Sequence, residues 1–173
     1  MSNGHHLHRQ LLEQARHLAT RERRRPRQGS LRRAVSTAYY ALFHLIVHEA
    51  AQKLLRGNAA EPLRPLLGRA FVHGDMKAAA RSFAGGTLPA TIKAYQPGPV
   101  SAELRQVAEA FVVLQELRHQ ADYDLRARLG RRETLDLVET AEAAFAAWSQ
   151  VRASQEGLLY LVCSLSWKQL SGR

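Results

Sequence analysis

The chain has 173 residues, of which 46% are hydrophobic, so it is long enough for one domain with its own core and too apolar to be disordered throughout. Its single cysteine, Cys163, excludes an internal disulfide and every metal site built from several thiolates. Arginine supplies 21 of the 25 basic residues and the net charge is +10, which suits a polyanionic partner, although GC-rich codon usage would also enrich arginine.

The sequence predicts neither a membrane protein nor a secreted one. No apolar stretch approaches the roughly 18 residues that a spanning helix needs. The N-terminal residues lead into an arginine-rich amphipathic segment, whereas a secretory signal has an apolar core and a small-residue cleavage site. We therefore expect a cytoplasmic protein that does not associate with membranes.

Apolar residues recur at spacings of three and four in several long windows, and no window alternates as a half-buried strand would. This pattern predicts an all-α protein, an antiparallel up-and-down bundle of about five helices in a single domain over residues 1–173. The first helix is predicted over residues 5–24, with Pro26 and Gly29 ending it. Its inner face is predicted to consist of Leu7, Leu11, Leu12, Ala15 and Leu18.

Positive charge is concentrated at the start of the chain. Residues 1–33 hold nine arginines and two glutamates, a net charge of +7. Such a cluster can bind phosphates without sequence specificity, or it can be a solvated helix end whose cations complement the helix dipole. The candidate contacts to RNA or a nucleotide are Arg21, Arg24, Arg25 and Arg33.

A second helix is predicted from an N-cap at Ser30 to residue 55 or 56, before Gly57. Two adjacent apolar stripes cover much of its circumference, so it is predicted to be central or to meet another subunit. The stripes consist of Val35, Ala38, Leu42 and Leu45, and of Tyr39, Phe43 and Ile46.

The same helix carries a line of residues that can form side-chain hydrogen bonds, spaced by four: Ser36, Tyr40, His44 and His48. Such groups either satisfy one another in a core or line a site, and Ser36 and Tyr40 are candidate contacts to RNA or a nucleotide. The two histidines have the spacing of zinc ligands on a helix, but no partnering carboxylate stands in the usual position. We therefore expect no metal and no other cofactor.

Residues 57–100 contain five of the six prolines, and they predict a long irregular connection with short helices near residues 62–71 and 75–83. A helix N-terminus at Asp75 could hold a phosphate, although ordinary capping by Asp75 is the favoured interpretation.

Ser101 is predicted to cap a fourth helix, on which Leu104, Val107, Phe111 and Leu114 share one face. A fifth helix is predicted over residues 133–152, and the apolar tail at residues 158–167 is compatible with a helix or a strand. The inward residues of the fifth helix are predicted to be Leu135, Val138, Phe145 and Trp148.

Arg118 occupies the next position on the apolar stripe of the fourth helix, so its guanidinium must be paired or line a cleft. Asp122 lies four residues later, which predicts an Arg118–Asp122 pair. The pair is either a structural ion pair at the helix end or an anion site in which Asp122 orients Arg118. His119 and Tyr123 are also four apart and lie beside this pair.

Two segments together resemble the HEPN domain family. They are residues 31–44, LRRAVSTAYYALFH, and residues 117–123, LRHQADY. The resemblance covers roughly residues 7–152 and is to the branch whose second motif ends in Ala-Asp-Tyr. It implies an antiparallel helical bundle, commonly a twofold homodimer, in RNA-processing or toxin–antitoxin systems and often beside a minimal nucleotidyltransferase.

Many HEPN proteins are metal-independent ribonucleases with an arginine followed, after four to six residues, by a histidine. Arg118 matches the arginine, but residues 123–125 are Tyr-Asp-Leu, so the histidine is missing. His119 or His44 would have to act as the base, which makes Arg118, His119, Asp122, Tyr123 and His44 the candidate catalytic residues. A tyrosine in the second motif of some relatives accepts a nucleotidyl group from an antitoxin, and Tyr123 matches that position. The alternative is a non-catalytic dimeric module that docks a nucleotidyltransferase or RNA.

Overall fold

The computed structural model describes residues 7–172, and this part of the chain contains helices and no strand. The predicted all-α class is therefore confirmed. The elements are α1 (Leu7–Thr20), α2 (Gln28–Leu54), a 3₁₀ helix (Asn58–Leu63), α3 (Arg64–Gly68), α4 (His73–Gly85), α5 (Ala90–Lys93), α6 (Ala102–Tyr123), α7 (Arg131–Val151) and α8 (Gln155–Leu170). The described residues thus form eight α-helices and not the predicted five, because three short helices lie between α2 and α6 and the tail is helical.

The chain divides into two compact units. Unit 1 comprises Met1–Leu45 and Ala110–Phe145, and unit 2 comprises Ile46–Glu109 and Ala146–Arg173. The long helices α2, α6 and α7 each contribute residues to both units. None of the helices in the described part is long and apolar enough to cross a bilayer. A single domain over residues 1–173 stays a prediction.

The junction between α1 and α2 differs from the prediction. Helix α1 ends at Thr20, before the predicted end at residue 24, and residues 21–25 form a bend whose Glu22 and Arg23 carbonyls accept hydrogen bonds from the Arg131 guanidinium. Helix α2 begins at Gln28, so its first turn contains Gly29, which was predicted to be a breaker. Ser30 is inside that turn and donates to Glu22 Oε1 (2.8 Å), so it is not the N-cap.

The inner face of α1 also differs. Its buried residues are His8, Ala15 and Ala19, whereas Leu7 is 41% exposed. The His8 ring lies 5.8 Å from the Phe145 ring of α7. Residues 5 and 6, where this helix was predicted to begin, lie outside the described part of the chain.

The predicted faces of the two helices that form the candidate site are confirmed. Both stripes of α2 are buried, and Leu104, Val107, Phe111 and Leu114 of α6 are fully buried. In unit 1 the Tyr39 ring meets the edge of the Phe111 ring at 5.6 Å. Ser101 Oγ accepts a hydrogen bond from the Leu104 amide (3.2 Å), so the predicted cap of α6 is also confirmed.

Helix α7 matches its prediction in part. It begins at Arg131, two residues before the predicted start, and it buries Val138 and Trp148 as predicted. Leu135 and Phe145, however, are only half-buried. Fully or nearly buried positions of α7 that the prediction missed are Thr134, Leu137, Ala141, Ala144, Ala147 and Val151.

Unit 2 contains the segment that was predicted to be irregular, and short helices occupy much of it. Helix α4 begins at His73 with Val72 as its N-cap, so Asp75 lies in the first turn and the predicted cap at Asp75 is wrong. A carboxylate there still complements the helix dipole. Helix α4 packs on α8, where the Phe83 ring meets the Tyr160 ring edge-on at 5.2 Å.

The apolar tail is helical: it belongs to α8, which Ser154 caps, its Oγ accepting from the Gly157 amide (3.1 Å). Cys163 of this helix is fully buried, and burial raises the pKa of its thiol to about 12. The thiol is therefore protonated at neutral pH.

Candidate functional site

The Arg118 guanidinium is held between a carboxylate and a phenol of unit 1. Its Nε lies 2.8 Å from Asp122 Oδ2, which confirms the predicted pair, and its Nη2 donates to the Tyr40 hydroxyl (2.9 Å). The Nε–H does not meet the angle of a hydrogen bond, so the contact with Asp122 is an ion pair. The side chain of Arg118 is 20% exposed, which makes this cation largely but not fully desolvated.

Three tyrosine rings surround the same cation. Arg118 Cζ lies 6.0 Å from the ring centroid of Tyr39, 5.4 Å from that of Tyr40 and 5.8 Å from that of Tyr123. Burial by itself would lower the pKa of Arg118, but the oxygens of Tyr40 and Asp122 outweigh it and raise the pKa above its usual value. Arg118 is therefore charged at every physiological pH.

Asp122 has a second partner from α2. Ser36, which is 2% exposed, donates its hydroxyl to Asp122 Oδ1 at 2.5 Å. One carboxylate oxygen therefore faces Arg118 and the other faces Ser36. This arrangement fixes the orientation of the carboxylate, and through it the orientation of the guanidinium.

The line of residues spaced by four on α2 extends further than the sequence suggested. Gln28 exchanges two hydrogen bonds with the Leu129 backbone, and Arg32 donates to backbone carbonyls between residues 121 and 127. We call Gln28, Arg32, Ser36 and Tyr40 the polar stripe, because one residue per turn bonds to the segment 118–129. Sequence reasoning missed Gln28 and Arg32, although the same spacing of four leads directly to them.

One edge of the site faces solvent. Tyr123 is 64% exposed, and its ring lies 4.8 Å from the ring of His119, which is exposed as well. The Nη1 nitrogen of Arg118 makes no hydrogen bond to any residue between 7 and 172. The structure therefore places an exposed aromatic pair, His119 and Tyr123, beside a guanidinium whose Nη1 is not used in a hydrogen bond to residues 7–172.

His44 continues the spacing of the polar stripe but does not reach Arg118 directly. Its ring lies 6.4 Å from the Tyr40 ring, and burial lowers its pKa, so the imidazole is neutral at pH 7. His48 belongs to unit 2. Between residues 7 and 172, no three His, Cys, Asp or Glu side chains are grouped in a way that could hold a metal ion.

The four predicted basic residues are not among the partners of Arg118 described above. Arg21, Arg24 and Arg25 are exposed in the bend between α1 and α2, and Arg33 is exposed on α2. No hydrogen bond or ion pair within the described part of the chain joins them to Arg118. In the bend, the Glu22 carboxylate is occupied by Ser30 and by the Arg27 amide, and the Ser30 hydroxyl is the main cause of the lowered pKa of Glu22.

No protein-family model matches the chain, and no curated protein or solved structure is significantly similar to it. The resemblance to the HEPN family therefore rests on the two segments quoted above.

Proposed function

We propose that this is a HEPN-type protein that binds RNA or a nucleotide at the solvent-facing edge of the Arg118 site. One observation supports this most: the exposed Tyr123–His119 pair stands beside a guanidinium that Asp122 and Tyr40 hold in place. Single-stranded nucleic acid is bound by aromatic rings that stack on bases next to cations that contact phosphates. The site offers both groups within residues 118–123 of α6.

In this proposal each residue has a distinct role. Arg118 contacts a phosphate through Nη1, while its other nitrogens keep their protein partners. Tyr123 stacks on a base, and His119 supports the ring from the other side. The exposed arginines of the bend add attraction to the phosphate backbone without sequence specificity.

Cleavage of the bound RNA is the finer proposal. The 2′-hydroxyl attacks the phosphorus and the P–O5′ bond breaks, which leaves a 2′,3′-cyclic phosphate and a 5′-hydroxyl. An imidazole takes the proton of the 2′-hydroxyl, a protonated imidazole returns one to the leaving 5′-oxygen, and Arg118 stabilises the phosphorane. Exposed His119 and neutral His44 are the candidate bases, and a twofold homodimer would supply a second copy of each.

The rival function is a non-catalytic dimeric module, which the existing partners of Arg118 favour. A guanidinium already bound by Asp122 and Tyr40 can serve as a structural brace. The exposed ring of Tyr123 would then be the surface that meets a nucleotidyltransferase antitoxin, whose nucleotidyl acceptor it would be.

The binding proposal is tested with a fluorescein-labelled single-stranded RNA and measurement of anisotropy. We expect Tyr123→Ala to weaken binding by about 5- to 150-fold, since stacking on one aromatic ring is worth about 1–3 kcal/mol. Tyr95→Ala is the matched control, because Tyr95 is 66% exposed but lies in unit 2. Equal affinities of Tyr123→Ala and wild type would contradict the proposal.

Cleavage is tested by incubating wild type and Arg118→Ala with total RNA in EDTA and analysing the fragment ends. Fragments ending in 2′,3′-cyclic phosphate from wild type and from the control variant, but not from Arg118→Ala, would support catalysis at Arg118. Arg132→Ala is the control, since it removes another Arg–Asp pair spaced by four (2.9 Å), an exposed pair on α7. Absence of fragments from every variant would favour the non-catalytic module.

A further inference from the structure

The turn that follows α6 is bound by side chains of α2. The Arg32 Nη1 donates to the Ala121 carbonyl at 2.8 Å, and the Arg32 Nη2 donates to the carbonyls of Asp124 (2.8 Å) and Ala127 (2.5 Å). Gln28 donates to the Leu129 carbonyl at 2.8 Å and accepts from the Leu129 amide at 3.0 Å. Two α2 residues one turn apart therefore make five hydrogen bonds to the backbone of residues 121–129.

One of these bonds reaches the Ala121 carbonyl, which is among the last four carbonyls of α6, and the other four bind the turn that follows the helix. The last four carbonyls of an α-helix lack intrahelical donors, and a positive charge there complements the helix dipole. The last turn of α6 has no basic side chain of its own. From another helix, Arg32 supplies a donor to one of these carbonyls and a positive charge beside the helix end.

Tyr123 is the residue most affected by this contact, because it is the last residue of α6. Helix ends fray readily, and a frayed last turn would separate the Tyr123 ring from the Arg118 guanidinium, which it meets at 5.8 Å. Arg32 bonds to carbonyls on both sides of Tyr123 in sequence. The turn cannot unwind without breaking those bonds.

We infer that Arg32, assisted by Gln28, is a positioning residue that holds the last turn of α6 so that Tyr123 stands beside Arg118 before a ligand arrives. Its role at the ligand rests on the proposed function, whereas the clamp on the backbone does not. A preformed platform binds more tightly, since less conformational entropy is lost on binding.

The clamp is tested without any ligand, by hydrogen exchange of the amides of residues 123–129. Arg32→Gln is expected to speed their exchange about tenfold, because charge-assisted hydrogen bonds to three carbonyls are lost. Arg69→Gln, which removes an exposed arginine of unit 2, is expected to leave it unchanged. Unchanged exchange in Arg32→Gln would overturn the inference.

A second variant keeps the test decisive if Arg32→Gln does not fold. Arg32→Lys keeps the charge, but a lysine ammonium cannot span the same carbonyls, so intermediate exchange is expected. Exchange equal to that of wild type in Arg32→Lys would show that charge alone acts, and would overturn the clamp.

The positioning role is tested by RNA anisotropy in a double-mutant cycle. Arg32→Gln is expected to weaken binding several-fold in the wild-type background and to have little further effect in the Tyr123→Ala background. An equal loss in both backgrounds would mean that Arg32 acts on RNA through its own charge, which overturns the positioning role. Absence of RNA binding by wild type would overturn the proposed function, while the exchange experiment would still decide the clamp.

Discussion

Arg118 is a largely desolvated cation, and yet 20% of its side chain borders solvent. Its charge is maintained because Tyr40, Asp122 and three ring faces replace the water that it loses. Asp122 is itself held by Ser36, so the guanidinium is supported through a chain of two contacts from α2. At the scale of single residues, the site is therefore an oriented cation next to an exposed ring.

A neutral His44 makes a prediction about pH. Burial lowers its pKa below the usual value of 6.5, so the folded state resists protonation more than the unfolded state does. The free energy of unfolding should therefore fall as the pH drops through 6.5 towards the lower folded-state value. We expect it to fall more steeply for wild type than for His44→Gln, as measured by urea unfolding at about pH 7.5 and about pH 5.5.

The comparison with His44→Gln isolates this histidine from the other titrating groups, which both proteins share. Parallel pH profiles for the two proteins would show that His44 has the same pKa in the folded and unfolded states. A direct titration of the imidazole by NMR provides the second check on the direction of the shift.

Part of this site could be predicted from residues alone. The Arg118–Asp122 pair follows from a spacing of four on one helix, and the structure contains it at 2.8 Å. Tyr40 could not be identified as the partner of Arg118, because the two are 78 residues apart and only packing of α6 against α2 brings them together. The same holds for Ser36 and Asp122.

At the scale of elements, the connection from α7 to α8 depends on one glycine. Ser154 caps α8 and also donates to the Val151 carbonyl at 2.7 Å, so the chain reverses tightly at this point. A Cβ at Gly157 would overlap the same Val151 carbonyl oxygen. Backbone has little freedom to move away here, because both ends of the reversal belong to packed helices.

Gly157→Ala is therefore expected to lower the free energy of unfolding by about 2 kcal/mol or more, measured by urea unfolding. Gly85→Ala is the matched control, since a Cβ at Gly85 has no heavy atom within 4 Å and alanine is the better helix former. Its effect should lie within about 1 kcal/mol of zero. Similar effects of the two substitutions would show that the reversal can relax.

A second prediction at this scale concerns the ion pair in unit 2 between Glu49 of α2 and Arg152, the residue that follows α7. Arg152 donates to both oxygens of Glu49, at 3.1 and 2.8 Å, and the Glu49 side chain is only 7% exposed. Arg152→Ala leaves that carboxylate buried without its cation. Because Arg152 is itself half-exposed, we expect a loss of about 2 kcal/mol in the free energy of unfolding, below the full cost of a buried pair.

Glu49→Gln in the Arg152→Ala background should recover part of this loss, because a neutral amide is buried at lower cost than a charge. Urea unfolding of the two single variants and the double variant measures the coupling. Additive effects of the two substitutions would mean that the pair contributes nothing.

At the scale of the whole molecule, the net charge of +10 acts on a polyanion at long range. For single-stranded RNA, the logarithm of the binding constant is expected to fall with the logarithm of the salt concentration by about 0.7 per phosphate contact. Replacing Arg21, Arg24 and Arg25 together with Gln should reduce that slope by about 2 if each contacts one phosphate. Anisotropy titrations between about 50 and 200 mM salt measure it.

The triple variant also distinguishes long-range electrostatic attraction from binding at the Arg118 site. Its affinity at high salt should approach that of wild type, whereas Tyr123→Ala should remain weaker at every salt concentration, since stacking is not screened. An unchanged slope in the triple variant would assign these arginines to amino-acid composition and not to RNA binding.

The sequence by itself determined the helical class, the buried faces of α2 and α6, and the Arg118–Asp122 pair. All of these are local, because a helix repeats every 3.6 residues and places positions three and four apart on one face. The first-turn position of Asp75, the Arg131 contacts with the α1–α2 bend and the partners of Arg32 were decided only by tertiary structure. Each depends on backbone carbonyls or helix ends that come together from distant parts of the chain, and no spacing of side-chain types encodes where those groups will lie.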